Sequence, residues 1–266
     1  MGASEDITAA ENALRELIES VLAPALGPNW IEASGLTVDR LGVLRERLAA
    51  ETSRRTAGRV EQRLIYYSDI FDLRAILIDK HWERFKACLD DKKASVQDLI
   101  RLEEFRNAQM HGRHLLPHEQ ALTTGISGEF RNKVALYRSE RGPSREYFPR
   151  IELVRDSFGN VRHGHGTTGE ASDTGIILHP GDDVHFEMQA WDPDNVPFTW
   201  TVTLWTDGRP MLDRANATEF TWLVMPAHIN DPQRIVFTLR SARTYHREHD
   251  FDDKVILAYQ VLPSSD

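Results

Sequence analysis

Two hydrophobic rhythms divide the chain. Up to about Gly142-Pro143 apolar residues recur at helical spacing, and beyond it they alternate with polar ones. Leu14, Leu17, Ile18, Val21 and Leu22 predict a first helix from about Ala9 to Leu22, ended by Pro24. Trp30 follows a Gly27-Pro28-Asn29 turn and is expected to pack back on the helices. Leu41, Leu44 and Leu48 mark a second helix with Thr37 or Asp39 as its cap. The polar stretch from Glu51 to Gly58 reads as a break. A long helix is then expected from about Val60 to Leu89, with Leu64, Tyr67, Phe71, Ile78, Trp82 and Phe85 on its core side. The run Asp90 to Lys93 is a charged connector.

The next segment, Ser95 to His118, ends in a polar cluster. Ser95 is a good N-cap, and Asp98 stands where a capping box places its acid. Leu99, Leu102, Phe105 and Met110 give an apolar side. Glu103, Asn107 and His111 follow one another at helical i, i+4 spacing and share an edge. Arg106 projects roughly 140° from His111, so the two flank a shallow groove. Gly112 offers a helix end, with Arg113 and His114 just past it. A last helix is expected from Pro117 to Ser139, with a weak point at Gly125 to Gly128. About five such helices suffice for a bundle with one core.

The second half reads as strands. Phe148 to Val154 and Val161 flank a Ser157-Phe158-Gly159-Asn160 turn as an entry hairpin, and Arg162 to Asp173 is a Gly-rich loop. Alternation then recurs at Val184, Phe186 and Met188, at Phe198, Trp200 and Val202, at Phe220 and Trp222, at Ile235, Phe237 and Leu239, and at Val255, Leu257 and Tyr259. Short strands parted by Asp-Pro, Asp-Gly and Asn-Asp turns argue for a β-sandwich, similar in pattern to immunoglobulin-like or PKD-like modules. The expected fold class is therefore multidomain α + β: an all-α bundle over residues 1–142, a linker with the entry hairpin over 143–175, and an all-β sandwich over 176–266.

Composition narrows the partners. Of the net charge of −9, residues 1–150 sum to zero, so the acidity lies in the second half. That half would repel a nucleic acid. The first half carries basic runs at Arg45, Arg47, Arg54, Arg55, Arg59 and Arg63, and at Arg131, Lys133, Arg138, Arg141, Arg145 and Arg150. Either run can hold a phosphate backbone or be a solvated helix face. No apolar run approaches the length of about 18 residues that spans a membrane, and the acidic N-terminus lacks the order of a signal peptide. One cysteine, Cys88, on an apolar face, suits a core residue and a reducing, cytoplasmic setting.

Arg106, Asn107 and His111 are the residue types that phosphodiester chemistry needs. Histidine moves protons near neutral pH, arginine forks onto a phosphate, and asparagine orients either. No metal and no cofactor is called for. The same residues also suit a solvated, dipole-favoured helix end. Arg106-Asn107-Ala108-Gln109-Met110-His111 resembles the R-N-x-x-x-H signature of the HEPN superfamily of helical domains. Leu14 to Ile18, the Gly27-Pro28-Asn29-Trp30 turn, Tyr66 to Leu73 and His81-Trp82-Glu83-Arg84-Phe85 extend that resemblance over residues 10–138, toward the branch found at the C-terminus of a yeast nuclear mRNA-surveillance endoribonuclease. The resemblance implies a metal-independent endoribonuclease. It would cut single-stranded RNA or tRNA by 2′-hydroxyl attack, in a defence or toxin-like system. It further implies a homodimer of bundles, with Arg106 on the scissile phosphate, His111 as general base or acid, and Asn107 positioning either. Arg113, His114, Glu103 and Asp72 are candidate supporting or RNA-contacting residues. The sandwich would then meet a protein partner or antitoxin. The alternative is a non-catalytic dimerisation scaffold whose sandwich binds a protein or ligand.

Other clusters are weaker. Asp192-Pro193-Asp194-Asn195 has hard oxygen ligands for calcium but also suits a hydrogen-bonded turn. His163 with His165, and His246 with His249, lack further metal ligands and read as loop residues. Asp69 and Asp72 form a carboxylate pair, read foremost as an acidic partner for Arg106 or as a surface pair. Phosphate-loop, dinucleotide, serine-hydrolase and zinc-finger spacings are absent.

Overall fold

The computed structural model of the chain describes residues 2–55, 60–140, 148–164 and 170–264. They fall into two compact units, residues 1–54 with 61–146, and residues 55–60 with 147–266. A helical region precedes a β-sheet region, so the chain is a mixed α + β protein.

Among the described residues the first unit has six α-helices: α1 (Ala3–Leu26), α2 (Val38–Arg54), α3 (Ile70–Arg74), α4 (Trp82–Leu89), α5 (Lys92–Met110) and α6 (Pro117–Glu140). They share one core, to which α1 gives Leu14, Leu17, Ile18 and Leu22, α4 gives Phe85, α5 gives Leu99 and Leu102, and α6 gives Phe130 and Val134. Trp30 is buried in the same core.

Local chemistry sets where the helices start and stop. α1 runs through Pro24 to Leu26. A proline in the last turn removes only one backbone hydrogen bond, and Gly27, at φ 82°, ends the helix. The long helix expected over 60–89 is instead a 3-10 turn at Leu64–Tyr67, α3, a π turn at Ala75–Lys80, and α4. Asp69 breaks it. Its backbone is extended, its side chain accepts from the Asp72 N–H, and the Asp72 side chain accepts from the Asp69 N–H, a reciprocal box that starts a new helix. α5 begins three residues before Ser95, because Asp91 caps it by accepting from the Ala94 N–H at 3.0 Å. Ser95 lies buried inside the helix and donates to the Leu89 carbonyl. α6 passes unbroken through Gly125 to Gly128, where Ile126 and Ser127 are buried. Packing there outweighs the low helix propensity of glycine.

The second unit has nine strands among the described residues: β1 (Arg150–Asp156), β2 (Val161–Arg162), β3 (Ser172–Leu178), β4 (Asp183–Trp191), β5 (Phe198–Leu204), β6 (Pro210–Ala215), β7 (Glu219–Leu223), β8 (Asn230–Ser241) and β9 (Asp253–Val261). One sheet has the order β2-β1-β4-β7, the other β3-β9-β8-β5-β6. Pairs are antiparallel except β3 with β9. Residues 143–175 thus include β1, β2 and the start of β3, all hydrogen-bonded into the sheets.

Alternation decides which face is apolar. Val184, Phe186 and Met188 of β4 are buried, while His185 between them is exposed. A one-residue slip would exchange them, so the core pins the register. Side chains of both sheets meet in one cluster, with Phe186 against Phe237 and Trp222 against Tyr259 at ring centroid separations of 5.0 and 5.7 Å. The Tyr259 hydroxyl donates to Asp156 at 2.7 Å. Burial, then the Asp156 charge, pushes that hydroxyl well above its usual range.

Candidate functional site

α5 carries the polar edge expected from its sequence to the rim of a cleft of about 260 Å³. α2 contributes Arg40, the start of α3 contributes Asp69, Ile70 and Phe71, and α5 contributes Glu103, Arg106 and Asn107. His111 does not line this cleft. It is the C-cap of α5, exposed, with its N–H donating to the Asn107 carbonyl at 3.1 Å. Gly112 follows at φ 71°, and the Arg113 N–H returns to the Ala108 carbonyl, a closing turn that needs a left-handed residue. Arg113 and His114 are exposed beyond it. Met110, placed on the apolar side by its spacing, is 72 % exposed, because the last turn of α5 runs past the core.

Arg40 organises one wall. Its Nε donates to Asp72 Oδ1 at 2.5 Å and its Nη2 to Asp72 Oδ2 at 2.8 Å, and Nη2 also meets Asp69. Asp72 is fully buried, so this two-point pairing neutralises a charge that has no access to water. Hydrogen bonding to Asp72 raises the Arg40 pKa against the opposing effect of burial. Partial burial works against the Asp69 carboxylate, but Arg40, the Asp72 N–H and Arg47 outweigh it and hold its pKa below the ordinary value. The sequence reading made the Asp69 and Asp72 pair a partner for Arg106 or a surface pair. The pair instead belongs to Arg40, and Arg106 has another partner.

That partner is Glu11, on the buried side of α1. Arg106 Nε lies 3.0 Å from Glu11 Oε1, but the angle is poor for a hydrogen bond, and the oxygen accepts none. The contact is ionic. Glu11 Oε2 accepts from Arg15, whose other donors reach the Ser68 carbonyl and Asn12. Arg106 is about one-third exposed, and its terminal nitrogens make no hydrogen bond among the described residues. Nor does the exposed Asn107 amide. Glu103 meets Arg74 only at 4.0 Å, and the Arg74 guanidinium stands 5.4 Å from the Phe71 ring centre. Phe71 is 49 % exposed although its neighbours Ile70 and Leu73 are buried.

The sequence missed Arg40, Glu11 and Phe71. Tertiary packing brings Arg40 and Phe71 to the cleft and Glu11 to Arg106. The one local signal is a charged Glu11–Arg15 step on a helix side otherwise rich in leucine and alanine.

Arg54 is exposed, while several other candidates are taken up by structure. Arg45, Arg47, Arg63, Lys133 and Arg138 all stand in ion pairs, and Arg131 is buried. Arg59, Arg141 and Arg145 lie outside the described residues. Asp192 and Asp194 both pair with Arg243, and Asp192 accepts the N–H groups of Asp194 and Val196, a local turn. His163 is a buried residue hydrogen-bonded to the Glu152 carbonyl rather than part of an open loop, and His165 lies outside the described residues. His246 faces Asp252 at 3.3 Å. Among the described residues no group of three or more histidine, cysteine, aspartate or glutamate side chains could hold a metal ion. Among them too, no helix is long and apolar enough to cross a membrane.

No family model and no curated protein matches the chain. Among solved structures it shows a likeness to the alkylpurine DNA glycosylase AlkC of Pseudomonas fluorescens, bound to DNA containing an abasic site analogue. Identity is 12 % over 84 % of this chain and 64 % of that one, and the TM-score is 0.22, too low to carry an argument. The chain thus spans a little under two-thirds of that protein's length. The resemblance to the HEPN superfamily and to immunoglobulin-like or PKD-like modules is overturned: no family model of either kind matches the chain. The structure supplies a physical reason. Tyr66 to Leu73 is a capped break rather than part of a central helix.

Proposed function

We propose that the helical unit is a metal-independent endoribonuclease acting on single-stranded RNA or tRNA at the Arg106–Asn107–His111 edge of α5. The observation that carries this is the state of Arg106. Glu11 engages Nε from the buried side, while the terminal nitrogens, on a residue that lines the cleft, have no hydrogen-bond partner among the described residues. A guanidinium fixed at Nε with its outer fork unpaired suits a phosphate. One turn on, the exposed His111 stands at the C-terminal end of α5.

In this reading the outer nitrogens of Arg106 bind the scissile phosphate and offset the charge that grows on it. The ribose 2′-oxygen attacks the adjacent phosphorus and gives up its proton. The bond to the 5′-oxygen breaks, and that oxygen takes up a proton. His111 carries one of these two transfers. The products are a 2′,3′-cyclic phosphate and a 5′-hydroxyl. Asn107 positions the phosphate or the imidazole, and Arg113 and His114 extend the contact along the strand.

We infer too that the first unit is a helical bundle, supported by the shared core of α1, α5 and α6, and the second a β-sandwich, supported by ring contacts between the two sheets. A second reading is a binding unit without catalysis, whose sheets meet a partner. It is favoured by the ion pairs that engage Arg45, Arg47, Arg63, Lys133 and Arg138 among the described residues of the basic runs. Single-turnover cleavage of tRNA by Arg106→Ala and Asn107→Ala separates the two. Losses of about a hundredfold or more at Arg106, with a smaller loss at Asn107, support the enzyme. Turnover unchanged in both would remove the site from this edge.

A further inference from the structure

The cleft contains more than phosphate chemistry requires. Phe71 is an aromatic ring kept half in solvent on a helix whose neighbouring apolar residues are buried. Across the cleft, Asn107 offers an amide without a hydrogen-bond partner among the described residues, and Glu103 a carboxylate whose nearest cation is 4.0 Å away. Arg106 stands beside both. A flat apolar surface, an amide and a carboxylate around a space of about 260 Å³ are what a single nucleobase meets when it is turned out of a strand.

Resting on the ribonuclease reading, we propose that this cleft holds one base of the single-stranded RNA, an amino-bearing base such as adenine, stacked on Phe71 and read at its edge by Asn107 and Glu103. Asparagine offers the donor and acceptor that match the N6 and N7 positions of adenine. The Glu103 carboxylate accepts from an amino group and is repelled by the two carbonyl oxygens that flank the one N–H of uracil. Duplex RNA does not fit, because its bases stay stacked and paired. Arg106, next along α5, meets the phosphate attached to the same nucleotide.

The test uses the full chain with fluorescein-labelled 2′-O-methyl 12-mers, in which the attacking hydroxyl is blocked so that binding is read without cleavage. Fluorescence anisotropy is expected to show oligo(A) bound about tenfold more tightly than oligo(U). Phe71→Ala should weaken oligo(A) by about fivefold or more, the low end for loss of a base–aromatic stack. Glu103→Gln should narrow the A-over-U preference, and free AMP should compete far more weakly than the oligomer. Phe71→Ala and Glu103→Gln binding oligo(A) like the wild type would overturn the base pocket. If His111-dependent cleavage of tRNA persisted alongside that result, the ribonuclease reading would survive it. AMP competing as well as the oligomer would overturn the assignment to a strand. Failure of the wild type to bind either oligomer would overturn both. Phe71 and Glu103 are partly exposed, so neither change empties the core, and circular dichroism of each variant confirms that binding is compared between folded proteins.

Discussion

Replacing Arg40 with methionine removes the cation that meets the buried Asp72 carboxylate at two points. Asp72 has no exposure, so its charge cannot be hydrated in place. Breaking a buried pair by deleting one partner costs about 3–5 kcal/mol. Arg40 keeps 26 % side-chain exposure, so water reaches its end of the pair, and the low end of about 3 kcal/mol is expected. At about 2–4 °C per kcal/mol this lowers Tm by roughly 10 °C. Asp72→Asn keeps an acceptor for the Asp69 N–H but loses the charged pairing, at a cost of about 2 kcal/mol. The double variant carries no uncompensated charge, so it should be more stable than the sum of the two by about 2 kcal/mol. Urea denaturation followed by far-ultraviolet circular dichroism measures all four proteins. Additivity within about 0.5 kcal/mol would refute the clamp.

Three further outcomes follow from the same geometry. His228 Nδ1 accepts from the Trp222 indole at 3.1 Å and the Met225 N–H at 3.0 Å, which requires the neutral ring. Burial, against a weaker pull from Asp207, holds its pKa below the ordinary 6.5, so the native state binds fewer protons than the unfolded chain. Stability of the β unit therefore falls as pH drops below about 6.5, and His228→Gln should flatten that slope in urea titrations at stepped pH. Asp69 acts with the same sign in a lower window: with its pKa depressed, its contribution is complete above the unfolded value near 4 and is lost as pH falls through the lower folded value, so acid unfolding should shift to higher pH in Asp69→Asn. Gly164→Ala would place a methyl 2.0 Å from the Asp253 carboxylate, which is held by the Ile151 N–H. The β unit should lose about 3 kcal/mol, and an unchanged melting temperature would contradict the packing described there.

The parts of this molecule that follow local periods were legible in the chain. The alternation of Val184, Phe186 and Met188 gives β4, and the spacing of Glu103, Asn107 and His111 gives an edge of α5. Local chemistry with two meanings was read less well. Asp91 beside Lys92 looks like a connector but caps α5, and Asp69-Ile70-Phe71-Asp72 looks like a helical stretch but starts a helix. What remained hidden depends on distant partners. Nothing near Arg106 indicates Glu11, and nothing near Asp72 indicates Arg40, since helix packing alone joins them. The motif residues could therefore be named while their pairing could not. His111, which the spacing places on the Asn107 edge, lies outside the cleft because the helix ends beneath it.

The most direct test is digestion of total RNA and tRNA by the purified full-length protein in EDTA, beside Arg106→Ala and His111→Ala. Cleavage by the wild type, leaving 2′,3′-cyclic phosphate ends and strongly reduced in both variants, is the predicted result. Cleavage that persists undiminished in His111→Ala, or RNA left intact by the wild type, would contradict the account.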